Sequence, residues 1–306
     1  MDRIAYGGWK NCYRLANRAI ELVVTGDVGP RVIRLATKGG TNLFKEFKEQ
    51  MGQTGGDEWR IYGGHRLWHA PEAKPRTYCP DNSPVDVKQT ENSLTVTQAM
   101  ESTTGILKQM SIILDANQPH VRVLHRLTNC ALWPVALSPW ALSVMAPGGT
   151  AIIPQAAYIS HQECLVPARP VVLWPYTNMR DKRWIWGEKF IQLRQDRAAK
   201  HPQKVGVALV DGWAAYALKG QVFLKRFDHL PNAEYPDFGC SFETFTNADM
   251  LEVETLGPMT TLEPGASAVH VEDWFVFDGI RLGKSEQAIE EAIAPILKKS
   301  AKMMGG

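Results

Sequence analysis

The sequence predicts an all-β protein, a large antiparallel sandwich, from three observations. Short runs rich in β-branched and aromatic residues recur along nearly the whole 306-residue chain, and Gly- or Pro-containing turns separate them. No helical segments alternate with these runs, as they would in a parallel α/β sheet. Only one segment, near the C-terminus, has the 3.6-residue apolar period of an amphipathic helix.

The strands are predicted in chain order from these runs and turns. Residues 19–24 and 31–35 flank the turn sequence TGDVGP and form an early hairpin. The later runs span residues 93–97, 107–114, 120–127, 135–145, 151–154, 204–209, 213–218, 222–227, 239–245, 250–256 and 268–277. Strands at this regular spacing predict antiparallel sheets packed face to face.

The predicted helix spans about residues 285–302. Ser285 can cap its first turn, and Lys298 and Lys299 complement the negative end of its dipole. Its apolar stripe, which predicts packing on the outside of a sheet, consists of Ala288, Ile289, Ala292, Ile293, Ile296 and Leu297. Because no linker or internal repeat interrupts the pattern, we predict one domain over residues 1–306.

Composition narrows the function classes. A formal net charge of +2, from 34 basic and 32 acidic side chains, gives no electrostatic case for a nucleic-acid partner. The N-terminal sequence has no apolar signal region and no run of 18 apolar residues occurs, so we expect a cytoplasmic protein without a membrane partner. Five widely spaced cysteines without a C-x-x-C pair predict neither a disulfide framework nor a zinc knuckle.

Acidic residues concentrate on two late strands. In MLEVETLGP (residues 250–258) the strand period places Glu252 and Glu254 on one face, roughly 7 Å apart. The preceding segment, EYPDFGCSFETFTN, adds Asp237 and Glu243 among aromatic residues. If this face lines a cleft, mutual repulsion and burial would raise the pKa of one carboxyl, which suits acid–base catalysis. The alternative is an ordinary solvated sheet face.

The segment GGHRLWHAPE (residues 63–72) combines several reactive side chains. His65 and His69 have the i, i+4 spacing of helical metal ligands, but the surrounding Gly and Pro residues oppose a helix and no H-E-x-x-H motif is present, so no metal is predicted. Either histidine can act as an acid or base, and Arg66 can hold a hydroxyl. The alternative is a buried turn in which Arg66 pairs with Glu72.

Tryptophan-rich stretches predict an aromatic wall. SPWALSVMAPGG (residues 138–149) contributes Trp140, and LWPYTNMRDKRW (residues 173–184) adds further aromatic side chains together with Arg183. Flat aromatic faces suit the C–H face of a sugar ring, although such residues also pack sheet-covering loops.

The order of these elements resembles the galactose-mutarotase-like β-supersandwich proteins. The residues that carry the resemblance are GTNLF (40–44), the GG-x-x-x-W-x-x-P-E pattern of residues 63–72, LTN (127–129), and a strand containing Glu254-Thr255 that is followed by LEPG (262–265). GGHRLWHAPE, SPWALSVMAPGG, LWPYTNMRDKRW and YPDFGCSFETFTNADMLEVETLGP look more closely like the uncharacterised DUF4380 group of that superfamily. The resemblance spans about residues 19–274.

This resemblance implies a sugar-active enzyme that works at the anomeric centre without a cofactor. Glu254, followed by Thr255 and lying before LEPG, matches the glutamate that removes the anomeric hydroxyl proton in mutarotases. This chain has Trp140 where the family has a histidine, so His65 or His69 would supply the acid. The side chains expected to contact a small-molecule sugar or oligosaccharide are Arg66, Trp68, Glu72, Trp140, Arg183, Asp237, Glu243 and Glu252.

The sequence is also compatible with two other functions. A glycoside hydrolase or lyase would oppose Glu254 to Glu252, Glu243 or Asp237, with separations of about 5 Å for retention and roughly 6.5 to 9.5 Å for inversion. A non-catalytic sugar-binding protein would keep the aromatic wall without needing a base. The fold alone does not distinguish these possibilities.

Overall fold

The computed structural model describes residues 1–305 and contains two antiparallel β-sheets packed face to face. The first, 11-stranded sheet contains β1 (Asp2–Tyr6), β2 (Trp9–Ala16), β3 (Ile20–Thr25), β4 (Arg31–Thr37), β5 (Gly64–Ala70), β10 (Val135–Met145), β12 (Val171–Leu173), β15 (Gln203–Val207), β18 (Phe242–Thr246), β19 (Leu251–Leu256) and β20 (Thr260–Leu262). The second, 10-stranded sheet contains β6 (Asp86–Gln89), β7 (Ser93–Thr97), β8 (Ile106–Leu114), β9 (His120–Asn129), β11 (Thr150–Pro154), β13 (Trp184–Trp186), β14 (Phe190–Arg194), β16 (Trp213–Leu218), β17 (Gln221–Phe227) and β21 (Ser267–Phe277). The predicted all-β antiparallel sandwich is confirmed.

The strand order joins distant parts of the chain. The first sheet runs β1-β2-β3-β4-β5-β10-β19-β18-β15-β12, with β20 paired to β10, and the second runs β13-β14-β11-β16-β17-β21-β9-β8-β7-β6. The hairpin predicted around TGDVGP is present as β3 and β4. Strands near the middle of the first sheet therefore come from residues 64–70, 135–145 and 242–256, and they bring the acidic and aromatic motifs together.

The main core lies between the two sheets. Phe44, Phe223 and Trp274 form a triangle of edge-to-face aromatic contacts, with ring centroids 5.8 to 5.9 Å apart. All three are buried, and each such pair adds about 0.5–1.5 kcal/mol beyond the area that it removes from water. The alternation of buried and partly exposed residues along β9 and β8 shows the two-residue period that supplies this core.

Helix α1 (Glu286–Met304) covers the second sheet from outside. Ser285 caps it, because its hydroxyl accepts a hydrogen bond from the backbone N–H of Ala288 at 3.2 Å. Ile289, Ile293 and Ile296 are buried in one cluster with apolar residues of β11, β14, β16, β17 and β21. The predicted helix and its outer position are confirmed, and each isoleucine contributes about 1.5–3 kcal/mol of burial.

No helix within residues 1–305 is long and apolar enough to cross a membrane. The assignment of residues 1–306 to one domain stays a prediction, and Gly306 lies outside the described residues.

The structure corrects the prediction for GGHRLWHAPE. This segment contains strand β5, in which all seven residues from Gly64 to Ala70 are buried, rather than a turn. Gly64 occupies a left-handed conformation with φ of 70°, and a Cβ there would meet the backbone oxygen of Val32 at 2.4 Å, so glycine is required at this strand entry. The other strands that were not predicted are β1, β2, β6, β12, β13, β14 and β20.

Candidate active site

Five neighbouring strands of the first sheet carry the candidate site: β5, β10, β19, β18 and β15. Leu142 of β10 lies opposite Arg66 on one side and Glu254 on the other. Glu254 in turn lies opposite Glu243 of β18. Because opposed residues of adjacent strands point to the same face, this row of side chains shares the outer face of the sheet.

A cleft of about 320 Å³ opens on this face. The strands provide its floor, and the loops before and after β5 and after β12 provide its aromatic rim. The lining residues are Trp59, Ile61, Arg66, Trp68, Glu72, Tyr78, Trp140, Leu142, Tyr176, Lys204, Phe245, Asn247, Met250, Glu252 and Glu254. This volume and this mixture of aromatic walls with a few polar groups are typical of small-molecule sites.

Glu254 is the buried carboxyl at the floor of the cleft, with none of its surface exposed. The indole N–H of Trp140 donates to its Oε2 at 3.0 Å, whereas Oε1 has no protein partner. Burial raises the pKa of Glu254 to about 7, against the opposing effect of the Lys204 ammonium. A carboxyl with this pKa changes charge near neutrality and can act as a general base.

Lys204 joins Glu254 to a second buried carboxyl. Its Nζ lies 2.6 Å from Oε2 of Glu243 and 3.5 Å from Oε2 of Glu254. Burial alone would lower the pKa of Lys204, but the carboxylates of Glu254 and Glu243 outweigh burial and raise it. Burial also raises the pKa of Glu243 well above its ordinary value, so the two carboxyls titrate as a pair beside one cation.

Arg66 supplies the other cation of the cleft. Its Nη2 donates to Oε1 of Glu252 at 3.0 Å, and its guanidinium lies over the ring of Trp68, 4.5 Å from the centroid. Nε and Nη1 are buried and have no protein partner. The side chain is therefore fixed by one carboxylate and one aromatic face while two of its nitrogens remain free to donate.

Proteins of known structure that resemble this chain share its two-sheet architecture. A protein from Synechocystis sp. PCC 6803 aligns over 91% of this chain and 100% of its own, with 13% identity and a TM-score of 0.59. A galactose mutarotase-like protein from Lactobacillus casei ATCC 334 covers 87% of this chain and 100% of its own, with 10% identity and a TM-score of 0.59. A galactose mutarotase related enzyme from Lactobacillus acidophilus covers 88% and 98%, with 9% identity and a TM-score of 0.51.

This chain has the galactose mutarotase-like fold. Comparison with protein-family models found no match, and neither did a search of curated proteins. The narrower resemblance to the DUF4380 group therefore stays a prediction. At these identities the likeness establishes the mutarotase-like architecture, and the chemistry has to be argued from the side chains.

Six of the residues predicted from the sequence meet in the cleft of the mutarotase-like fold. They are Arg66, Trp68, Glu72, Trp140, Glu252 and Glu254. Glu243 lies directly beside them on β18 but is fully buried beneath Lys204 and does not line the cleft. Asp237 lines an adjoining hollow with Glu72, Lys74, Tyr78 and Trp174.

The two histidines are not on the cleft face, which corrects the expectation that one of them faces Glu254. His65 and His69 lie opposite Ser143 and Pro139 of β10, one position out of phase with the row of Arg66, Leu142 and Glu254. Because strand side chains alternate between faces, both histidines point away from the cleft. His65 instead reaches His125 of the second sheet, with 2.7 Å between their Nε2 atoms.

His69 belongs to a separate buried group. Its Nε2 lies 3.3 Å from Oε2 of Glu101, which also pairs with Lys108. Burial lowers the pKa of His69, and the hydrogen bond with Glu101 only partly opposes that effect. The alternative pairing of Arg66 with Glu72 is also wrong, because Arg66 pairs with Glu252 and Glu72 accepts from the hydroxyl of Tyr78.

Arg183 is outside the cleft as well. Its guanidinium donates to Asp181 at 2.9 and 3.0 Å and to the backbone oxygen of His201 at 2.6 Å. These bonds fasten the segment before β13 to the loop before β15. The predicted contact between Arg183 and substrate is therefore not supported by the geometry.

Lys204 is the important cleft residue that the sequence analysis did not single out. It lies in β15, within the otherwise apolar run KVGVALV that was recognised as a strand. A single lysine inside an apolar strand is a detectable signal, because a fully buried ammonium requires an anionic partner. Its partners are distant in sequence, so their identity depends on the pairing of β15 with β18.

Proposed function

We propose that this protein is a carbohydrate-active enzyme that acts at the anomeric centre of a small sugar by acid–base catalysis. The observation that carries the proposal is Glu254: a carboxyl with a pKa of about 7, at the floor of an aromatic cleft, with one oxygen held by Trp140 and the other free. This is the state that a general base requires at neutral pH. No cofactor is needed for this chemistry.

In this proposal Glu254 takes the proton of the anomeric hydroxyl through Oε1. The carbonyl forms at the anomeric carbon as its bond to the ring oxygen breaks, and the ring oxygen receives a proton to give the open-chain aldehyde. Closure onto the other face of the carbonyl reverses these transfers and returns both protons. The same two groups therefore serve both directions.

Lys204 is proposed as the acid, because the two histidines lie on the other face of the sheet. Its Nζ is 3.5 Å from Glu254, and the carboxylate of Glu254 is the largest of the effects that raise the pKa of this lysine. When Glu254 accepts the anomeric proton, that negative charge disappears and Lys204 becomes a stronger acid. Proton uptake by the base thus favours proton release by the acid.

The remaining cleft residues fit a hydroxyl-rich ring. Trp68, Trp140 and Phe245 present aromatic surface for the C–H face of a sugar, and the free Nε and Nη1 of Arg66 can donate to its hydroxyls. Glu72 joins the cleft to the adjoining hollow that contains Asp237, which offers carboxylate acceptors for further hydroxyls.

The rival functions make different use of the carboxyls. A glycoside hydrolase or lyase needs two of them in contact with substrate, and Glu72 and Glu252 line the cleft together with Glu254. Glu252 is paired with Arg66, Glu72 accepts from the hydroxyl of Tyr78, and Glu243 does not line the cleft. This arrangement favours a single base over a carboxyl pair. A sugar-binding protein would use the same walls without Glu254 as a base.

A panel of free sugars and glycosides tests the proposal, with NMR to follow anomer exchange and bond cleavage separately. We expect anomer exchange by the wild-type protein and a loss of about 10²–10⁴-fold in kcat for Glu254→Gln, with sugar affinity changed far less. Glu263→Gln, an exposed glutamate outside the cleft, is the matched control. Equal turnover by wild type and Glu254→Gln would rule out the proposed base.

The other outcomes identify the rivals. Bond cleavage that requires both Glu252 and Glu254 would indicate a hydrolase or lyase, whereas saturable sugar binding without turnover by wild type would indicate a binding protein.

We also propose a cytoplasmic location. All five cysteines are free thiols, which reducing compartments favour: Cys12, Cys79, Cys130, Cys164 and Cys240.

A further inference from the structure

A second cluster of reactive side chains lies between the two sheets, on the face of β5 opposite the cleft. It consists of His65 on β5, His125 on β9 and Glu272 on β21, all three with no exposed surface. Nε2 of His65 lies 2.7 Å from Nε2 of His125 and 3.8 Å from Oε2 of Glu272. Nε2 of His125 lies 4.0 Å from the same oxygen. Three potential ligand atoms thus converge from three strands and both sheets.

The spacing of these atoms suits a metal ion. A triangle with sides of 2.7, 3.8 and 4.0 Å contains a point about 2.1 Å from each corner. Zn²⁺ bonds histidine nitrogen at about 2.0–2.1 Å and carboxylate oxygen at about 2.0–2.2 Å. One ion at that point would lie in the plane of the three atoms and contact each of them at an ordinary bond length.

The outer nitrogens of both imidazoles are already engaged. Nδ1 of His125 donates to the backbone oxygen of His270 at 3.1 Å, so a neutral His125 presents a lone pair at Nε2. Nδ1 of His65 lies 2.9 Å from the hydroxyl of Ser143. Because Nε2 of His125 accepts, Nε2 of His65 carries the hydrogen between the two rings. For His65 to bind an ion, this hydrogen must move to Nδ1, and the Ser143 hydroxyl must then accept from Nδ1 instead of donating to it. Such outer hydrogen bonds are the usual support of metal-binding histidines.

Glu272 is also held in position. Lys225 and Thr255 occupy its Oε1, with Nζ of Lys225 at 2.8 Å, and the indole N–H of Trp274 contacts Oε2 at 2.7 Å. The same Oε2 lies 3.8 and 4.0 Å from the Nε2 atoms of His65 and His125. Three donors therefore fix the carboxylate that would complete the ligand set.

We propose that His65, His125 and Glu272 bind one divalent transition-metal ion, with Zn²⁺ as the best match, in a structural centre that joins the two sheets. Two imidazoles and a carboxylate are a donor set for Zn²⁺, Fe²⁺, Ni²⁺ or Cu²⁺ and not for Mg²⁺ or Ca²⁺. The centre is separate from the cleft and does not depend on the function proposed for it.

Metal content and histidine NMR test this centre directly. Full-length protein is unfolded in guanidinium chloride with EDTA, desalted into EDTA-free guanidinium chloride, refolded with equimolar ZnCl₂, passed over a second desalting column and analysed by elemental mass spectrometry. The expected content is about one zinc per chain for wild type, and a loss of at least about tenfold for His125→Gln and for Glu272→Gln. His69→Asn, a buried histidine four residues further along β5, is the matched control and keeps the full content.

The possible outcomes each decide the question. Less than about a tenth of a zinc per refolded wild-type chain overturns the proposal, as does full zinc content in His125→Gln. If neither cluster variant folds, ¹⁵N-histidine spectra of wild type decide: zinc should move the Nε2 resonances of two histidines and leave those of the others in place. Unchanged histidine spectra overturn it.

Discussion

Strands β5 and β19 bury polar side chains on both faces, and the two faces treat them differently. On the core face, both ring nitrogens of His65 and the hydroxyl of Thr255 have hydrogen-bond partners. On the cleft face, Arg66 and Glu254 are also buried yet keep atoms that have no hydrogen-bond partner. His65 and Thr255 thus belong to a satisfied network and their neighbours on the cleft face to an unsatisfied one, while Nδ1 of His69 is the exception on the core face of β5.

This difference distinguishes buried polar groups that hold the fold together from buried polar groups that are available to a ligand. A buried polar atom without a partner costs about 1–3 kcal/mol, so a fold retains several together only where the rest of the structure compensates. A ligand with many hydroxyls can supply the missing partners. The core face needs no ligand of that kind, and the contacts of its side chains hold the sheets in register.

The largest expected effect on stability comes from removing an ion pair on the core face. Lys225→Met removes the cation that lies 2.8 Å from the buried Glu272 and leaves that charge without its main partner. We expect the free energy of unfolding, measured by urea titration in EDTA, to fall by about 3–5 kcal/mol. Lys189→Met, which breaks a half-exposed pair with Glu290, is the control and should change it by less than about 1 kcal/mol. A similar small change in both variants would contradict the distinction between the two faces.

The second prediction concerns the loss of folding stability caused by burying Glu254 on the cleft face. The pKa of Glu254 is raised from an ordinary 4.5 to about 7, so the folded state holds this proton more tightly than the unfolded state. The contribution of Glu254 to the free energy of unfolding is therefore fully present below about pH 4.5. It is lost as the pH rises through about 7, and the total loss is about 3 kcal/mol. Thermal and urea unfolding of Glu254→Gln against wild type should show a variant that is more stable at pH 8 and nearly equal at pH 4.5. A difference that does not vary with pH would refute the raised pKa.

The smallest expected effect is a shift of a pH profile. Trp140→Phe removes the N–H that donates to Glu254 at 3.0 Å, and this bond favours the ionised carboxyl. The pKa of Glu254 should rise by about one unit, which corresponds to about 1.4 kcal/mol, and the acidic limb of the rate profile should move to higher pH. Trp68→Phe also reduces the aromatic surface of the cleft but removes no hydrogen bond to Glu254. It should therefore leave the acidic limb of the rate profile at the same pH. Equal shifts in both variants would assign the effect to the cavity shape.

The sequence allowed the fold class to be predicted because strand period, turn residues and a capped helix are local signals. Glu252 and Glu254 were placed on one face by the same local period. The faces of His65 and His69 were not predicted, because the flanking Gly and Pro residues indicated a turn where the chain forms a buried strand. Lys204 was missed for a different reason, since its role depends on the pairing of β15 with β18 and on nothing near it in the chain.

Helix α1 shields the second sheet, whereas loops and a short 3₁₀ helix (Arg76–Tyr78) surround the cleft on the outer side of the first sheet, and this asymmetry has an evolutionary consequence. The cleft floor belongs to rigid paired strands, but Trp59, Tyr78 and Tyr176 of its rim come from connecting segments. Insertions and substitutions in such segments are tolerated far better than in strands. For the proposed enzyme, a new substrate range would therefore require exchange of the rim loops and no change in the strands of the floor.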